Sequence, residues 1–72
     1  MKLTIEQGRE YFGKLKNRKR GKKVINEKGM LSTVKDVTFS AVYVEQDSNG
    51  KGSYLSLAGW DIPEEKYNSV VK

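Results

Sequence analysis

The sequence contains no cysteine and no histidine. Without cysteine the chain can form neither a disulfide nor a thiolate zinc site, a composition that is typical of a reducing compartment. Without histidine it lacks the commonest general base and the commonest metal ligand. We therefore expect no enzymatic activity, no bound metal and no cofactor.

Long apolar runs are also missing. No stretch approaches the roughly 20 apolar residues that span a membrane, and residues 1–4 lead into a polar segment rather than into the apolar part of a signal peptide. We expect a cytoplasmic protein without a membrane partner.

The length of 72 residues predicts one small domain, residues 1–72, which should bury only about 60% of the surface of the unfolded chain.

Positive charge is concentrated in the first half of the sequence. Residues 1–36 hold eleven Lys or Arg against four acidic residues, a balance of +7, whereas residues 37–72 hold three against five, a balance of −2. This asymmetry favours an anionic partner and does not indicate any particular fold.

A helix is predicted close to the N-terminus. Thr4 and Gln7 have the spacing of a capping box, in which each side chain binds the backbone N–H of the other residue. An apolar stripe with helical spacing follows, formed by Ile5, Gly8, Tyr11, Phe12 and Leu15. A longer helix would bring Lys19 into this stripe, so the helical part should comprise residues 1–18. Phe12 lies within the stripe and is predicted to be buried.

Residues 22–72 have the composition of a β-rich core. Val24 and Ile25 precede a predicted turn at residues 26–29, and a long segment rich in Val, Thr, Phe and Tyr follows. Val34 and Val37 are three residues apart within a pattern of period two, which predicts a bulge at residues 35–36. Near the C-terminus we expect one short helical turn at residues 61–67 and a last strand at residues 69–71.

Asn49 and Gly50 predict a two-residue type I′ hairpin, because both residue types tolerate positive φ. The resulting register pairs Val44 with Leu55, Val42 with Leu57, Tyr43 with Ser56 and Phe39 with Trp60. One face of the sheet would then carry Val42, Val44, Leu55 and Leu57. The other face would carry Phe39, Ala41, Tyr43, Tyr54, Ala58 and Trp60, and we expect the N-terminal helix to cover it.

The order of elements over residues 22–72 resembles that of the SH3-like small barrels, whose last two strands are joined by a single helical turn. We expect a β-rich α+β fold, with an N-terminal helix followed by a small antiparallel sheet or an SH3-like barrel of four to five strands. The alternative is an open sheet of three or four strands with the helix across one face. The resemblance is one of element order, so it transfers no functional residue.

The most conspicuous candidate for a binding surface is residues 14–23, in which seven of ten residues are Lys or Arg. Some of these cations complement the helix dipole, but so many in succession repel one another unless an anion offsets them. The phosphates of nucleic acid are the expected anion. Arg9, Lys16 and Arg20 flank the apolar stripe of the predicted helix on one side, so a strip of charge can continue from the helix into the loop. The predicted contact residues are Arg9, Lys16, Arg18, Lys19, Arg20, Lys22 and Lys23. A merely solubilising loop is the alternative to a binding surface.

Tyr54 and Trp60 are candidates for stacking with unpaired bases, because both lie near the ends of the predicted hairpin. Two hypotheses about function follow from the sequence. The first is a noncatalytic module that binds nucleic acid. The second is a small protein-interaction or inhibitory factor, of the kind that phages and mobile elements encode, which binds an acidic protein or pairs a sheet edge with a partner strand.

Overall fold

A computed structural model describes residues 1–18, 22–25 and 29–72 of the chain. The elements, in chain order, are α1 (Ile5–Lys16), β1 (Lys23–Ile25), β2 (Leu31–Val37), β3 (Ala41–Gln46), β4 (Gly52–Ser56) and α2 (Glu64–Val71). The strands form one antiparallel sheet in the order β1-β2-β3-β4. The predicted α+β class is therefore confirmed.

The predicted capping box forms at the start of α1. The Thr4 backbone N–H donates to Oε1 of Gln7 at 3.0 Å, and the Gln7 backbone N–H donates to Oγ1 of Thr4 at 3.2 Å. The helix ends at Lys16, within the expected range. Most of its apolar stripe is buried, and Phe12 is 0% exposed, as predicted.

Helix α1 packs on the sheet face that carries the valines. This inner face contributes Val24, Val34, Val42 and Val44 to the core, with Leu57 beside them. The expectation that the helix covers the tyrosine-bearing face is wrong. The compact valine side chains leave room for the large side chains of α1, whereas Tyr54 stays 65% exposed on the other face.

The β3–β4 hairpin differs from the predicted register by two residues. Val42 pairs with Leu55, and Tyr43 pairs with Tyr54. A shift of two residues leaves every strand side chain on its original face, because side chains alternate between the faces with period two. The predicted faces of these strand residues are therefore confirmed, although the predicted pairs are wrong.

The cause of the shift is a longer loop. Gly50 has a φ of +70°, but Asn49 does not have the positive φ that a type I′ turn requires. The Gly50 N–H instead donates to the carbonyl oxygen of Gln46 at 2.7 Å, which closes a loop of residues 47–50. Oδ1 of Asn49 accepts from the Lys51 N–H at 2.9 Å and stabilises the end of this loop.

The predicted bulge in β2 is confirmed, because the β2–β3 register shifts between Val34 and Asp36. The predicted turn at residues 26–29 lies mostly outside the described residues.

The C-terminal segment is a helix and not a turn followed by a strand. Tyr67, Val70 and Val71 lie three and four residues apart, so a helix places all of them on one side, against the core. The rings of Tyr11 and Tyr67 stack with their centroids 6.0 Å apart. Within the described ranges no fifth strand closes the sheet, which is open and does not form an SH3-like barrel.

Two glycines of α1 provide a matched test of how the helix docks. A Cβ on Gly13 would meet open space, so Gly13→Ala should raise the free energy of unfolding by about 1 kcal/mol through helix propensity. A Cβ on Gly8 would overlap the carbonyl group of Leu57, so Gly8→Ala should lower this free energy by about 1–3 kcal/mol. Chemical denaturation measures both values, and equal effects of the two substitutions would contradict the docking.

Candidate nucleic-acid interface

A groove runs between α1 and the turn that joins β2 to β3. Its lining includes Arg9, Gly13, Lys16, Val37, Thr38 and Phe39. Thr38 fixes the turn, because its Oγ1 accepts from the Ala41 N–H at 3.0 Å and its own N–H donates to the Ala41 carbonyl oxygen at 2.7 Å. Phe39 therefore occupies a defined position opposite the helix.

Arg9 is held over the ring of Phe39. Its Cζ lies 4.3 Å from the ring centroid, and its Nε donates to the Phe39 carbonyl oxygen at 3.1 Å. Phe39 is 79% exposed, and a cation–π contact at such a site contributes about 0.5–1 kcal/mol. Within the described part of the chain no carboxylate pairs with Arg9. The guanidinium is thus oriented, and its other N–H groups remain available to an anion.

Lys16 lies on the same side of α1 as Arg9, about two helical turns further along. Its Nζ is 3.5 Å from Oδ1 of Asp36. Both side chains are more than a third exposed, so solvent screens this pair and it contributes about 0–1 kcal/mol. The structure therefore brings two predicted phosphate-binding residues, Arg9 and Lys16, into one groove.

The other predicted cations are distributed differently. Arg18 is exposed just beyond the end of α1 and Lys22 is half-buried just before β1. Neither forms an ion pair with another described residue. Lys19 and Arg20 lie outside the described residues. Lys23 lies on the outer face of the sheet, away from the groove, where its Nζ is 2.6 Å from Oδ2 of Asp47.

The Lys23 contact belongs to a small polar cluster on the outer face. Nζ of Lys23 also donates to Oγ1 of Thr33 at 2.6 Å, and that hydroxyl donates to Oδ1 of Asp47 at 2.8 Å. Hydrogen bonds from Lys23 and then from Thr33 hold the pKa of Asp47 below its usual value. Because Asp47 belongs to the β3–β4 loop, the cluster ties this loop to β1 and β2.

Two tyrosines lie side by side on the outer face. The rings of Tyr43 and Tyr54 have centroids 4.8 Å apart and are tilted by 49°. A Cβ on Gly52 would overlap the Tyr43 hydroxyl, so glycine at this position allows the Tyr43 ring to lie across β4. Tyr54 is 65% exposed. Its ring is therefore open to solvent, as base stacking requires.

The prediction that Trp60 lies on the tyrosine face is wrong. Strand β4 ends at Ser56, so the alternation of faces does not extend to residue 60. The indole packs against Phe12 with ring centroids 5.0 Å apart, and its Nε1 donates to the Ser56 carbonyl oxygen at 2.6 Å. The two predicted stacking residues thus lie on opposite sides of the sheet.

Sequence reasoning missed Phe39 as a partner of Arg9. Phe39 lies between Thr38 and Ser40, where the alternation of apolar and polar residues is interrupted. A large aromatic residue at such a position indicates an exposed ring. Thirty residues separate Arg9 from Phe39, so only the tertiary docking of α1 brings them together.

Comparison with protein-family models, with curated proteins and with solved structures finds no match to this chain. Among the described residues, no helix is long and apolar enough to cross a membrane. The same residues contain no cluster of three or more acidic side chains that could hold a metal ion. Fold and surface together define a small α+β protein with an open antiparallel sheet and a cationic groove.

The pH dependence of the melting temperature, compared between the wild type and Asp47→Asn, tests the role of the polar cluster. Because the pKa of Asp47 is lower in the folded state, ionised Asp47 stabilises the fold above its unfolded-state pKa. This stabilisation is lost as the pH falls below about 4 and through the folded-state pKa. The melting temperature of the wild type should therefore fall more steeply than that of Asp47→Asn over this acidic range. Parallel curves for the two proteins would contradict the proposed role of the cluster.

Proposed function

We propose that this protein is a noncatalytic module of the cytoplasm that binds nucleic-acid phosphates through the groove between α1 and the β2–β3 turn. The observation that supports this most strongly is the Arg9–Phe39 contact. Phe39 fixes the guanidinium through its ring and its carbonyl oxygen without neutralising the charge. A phosphate can then bind in a charge-assisted way with little further ordering of the side chain.

Further positive charge lies in the groove and in the sequence that follows α1. Lys16 lies in the same groove, and its weak pair with Asp36 is easily exchanged for a phosphate contact. The chain continues past α1 into Arg18, Lys19, Arg20 and Lys22. Contacts of this kind give affinity without sequence preference, because the phosphate backbone is the same at every nucleotide.

Fluorescence anisotropy with labelled random-sequence DNA and RNA, titrated at several salt concentrations, tests the proposal. For duplex DNA the slope of log K against log salt should be about −0.9 for each phosphate contact, and for single strands about −0.7. No binding at low salt would contradict the proposal.

A double substitution assigns the binding to the groove. Arg9→Gln combined with Lys16→Gln should weaken binding about tenfold or more and flatten the salt slope by roughly two units, one for each lost contact. The matched control is Lys51→Gln combined with Lys66→Gln, which removes the same charge from outside the groove. The control should bind within about threefold of the wild type. An equal loss in both variants would mean that net charge and not the groove determines binding.

A further inference from the structure

Strand β4 is an edge of the sheet with backbone groups that face solvent. The Gln46 N–H donates to the Lys51 carbonyl oxygen at 2.9 Å, which identifies this as a hydrogen-bonded pair of the β3–β4 ladder. Such pairs alternate along an antiparallel ladder, so the backbone groups of Gly52, Tyr54 and Ser56 point away from β3. Five of the six N–H and C=O groups of these residues are unpaired within the described chain, because only the Ser56 carbonyl accepts, from Trp60 Nε1.

This edge lacks the features that usually protect edge strands. Proteins discourage pairing at an edge with charged residues, proline, bulges or very short strands. The opposite edge, β1, has three residues and begins with Lys23. Strand β4 has the sequence Gly-Ser-Tyr-Leu-Ser, with no charge and no proline, and its register with β3 is regular. The β4 edge can therefore accept another strand.

An apolar cleft of about 930 Å³ opens beside this edge on the inner face. Its apolar lining includes Val44, Leu55, Trp60 and Ile62. Ser32 also lines the cleft, is 1% exposed, and has no hydrogen-bond partner for its Oγ among the described residues. The cleft is mainly apolar, which suits the insertion of an apolar side chain.

The charged residues that line the cleft are three lysines and one aspartate. Lys51 and Lys66 line it, are exposed, and pair with no carboxylate in the described part of the chain. Asp61 also lines the cleft and lies 3.5 Å from the N-terminal ammonium group through its Oδ1, so the lysines leave an excess of positive charge. The charge therefore favours an acidic occupant. A second copy of this chain is disfavoured, because each copy carries a net charge of +5.

We propose that β4 accepts an extended segment of an acidic partner protein as a fifth strand of the sheet. Backbone hydrogen bonds to Gly52, Tyr54 and Ser56 hold the segment, as in other cases of strand addition. Every second residue of the segment faces the cleft. An apolar residue at one such position enters the cleft, and acidic residues two positions away meet Lys51 and Lys66. This surface is separate from the phosphate groove and does not depend on it.

Selection from a display library of random short peptides tests the proposal. The protein is the bait, and Tyr54→Pro is used for counter-selection. Proline removes a backbone N–H that points to solvent, and edge strands tolerate proline at such positions. The matched control, Tyr54→Thr, removes the ring but keeps the N–H. Enriched peptides should bind the wild type and Tyr54→Thr alike, and should bind Tyr54→Pro about tenfold more weakly.

The enriched sequences and the amide exchange rates provide two further readouts. The peptides should carry acidic residues two positions from an apolar residue, and binding should slow hydrogen exchange at Gly52, Tyr54 and Ser56. The Lys51→Gln and Lys66→Gln pair should weaken peptide binding about tenfold, whereas the Arg9→Gln and Lys16→Gln pair should leave it unchanged. This pattern is the reverse of the one expected for oligonucleotides, so failure of one proposal is distinguishable from failure of the other.

Several outcomes would reject the strand-addition proposal. Peptides that bind Tyr54→Pro as well as the wild type do not use the edge. If Tyr54→Pro does not fold, the test instead uses a selected peptide that is N-methylated at alternate backbone positions. Undiminished binding of this peptide to the wild-type protein rejects the proposal. Protection of the same three amides by raising the protein concentration alone would assign the edge to a second copy. Protection by an oligonucleotide, and by no peptide, would assign it to nucleic acid.

Discussion

The arrangement of the molecule depends on the close approach of α1 to the chain just after β4. Gly8 packs directly on the backbone of Leu57, where a larger residue would overlap the carbonyl group. This approach brings the helix near enough for Phe12 and Leu15 to be fully buried. Because Arg9 follows Gly8 and lies one step around the helix, the same contact places Arg9 beside the β2–β3 turn. The contact between Gly8 and Leu57 therefore determines both the packing of the core and the position of the candidate site.

Docking of α1 on the valine face also determines which surfaces stay open. The outer face keeps Tyr43, Tyr54 and the Lys23–Asp47 pair, and the β4 edge keeps unpaired backbone groups. The groove between α1 and the β2–β3 turn and the cleft beside β4 share no lining residue. The two surfaces therefore differ in chemistry and do not overlap.

Local features could be predicted from the sequence. The capping box, the apolar stripe of α1, the bulge in β2 and the alternation of the strand faces each depend on residues close together in the chain. The hairpin register could not be predicted, because a four-residue loop is stabilised by Asn49 locally and by contacts of Asp47 with distant Lys23 and Thr33. The valines of residues 69–71 predict a strand, because valine has a high β propensity. Tertiary packing overrides this preference and places these residues in α2.

The candidate site was only partly accessible to sequence reasoning. Charge identified Arg9 and Lys16 as residues for an anionic partner, and helical spacing placed both on one side of the apolar stripe. Their shared groove, and the role of Phe39 in orienting Arg9, depend on where the helix docks. The position of Trp60 was misjudged because the chain turns out of the sheet after Ser56, with Gly59 at a φ of +89°.

NMR of the arginine Nε–H group measures whether Arg9 is oriented on Phe39 before any ligand binds. In the free protein the Arg9 Hε resonance should be resolved and shifted by the Phe39 ring current, and Phe39→Leu should abolish that shift. A short oligonucleotide should perturb this resonance and leave the Trp60 Nε1–H resonance unchanged. A random-coil position for Arg9 Hε in the free protein, or no response to the oligonucleotide, would contradict the account.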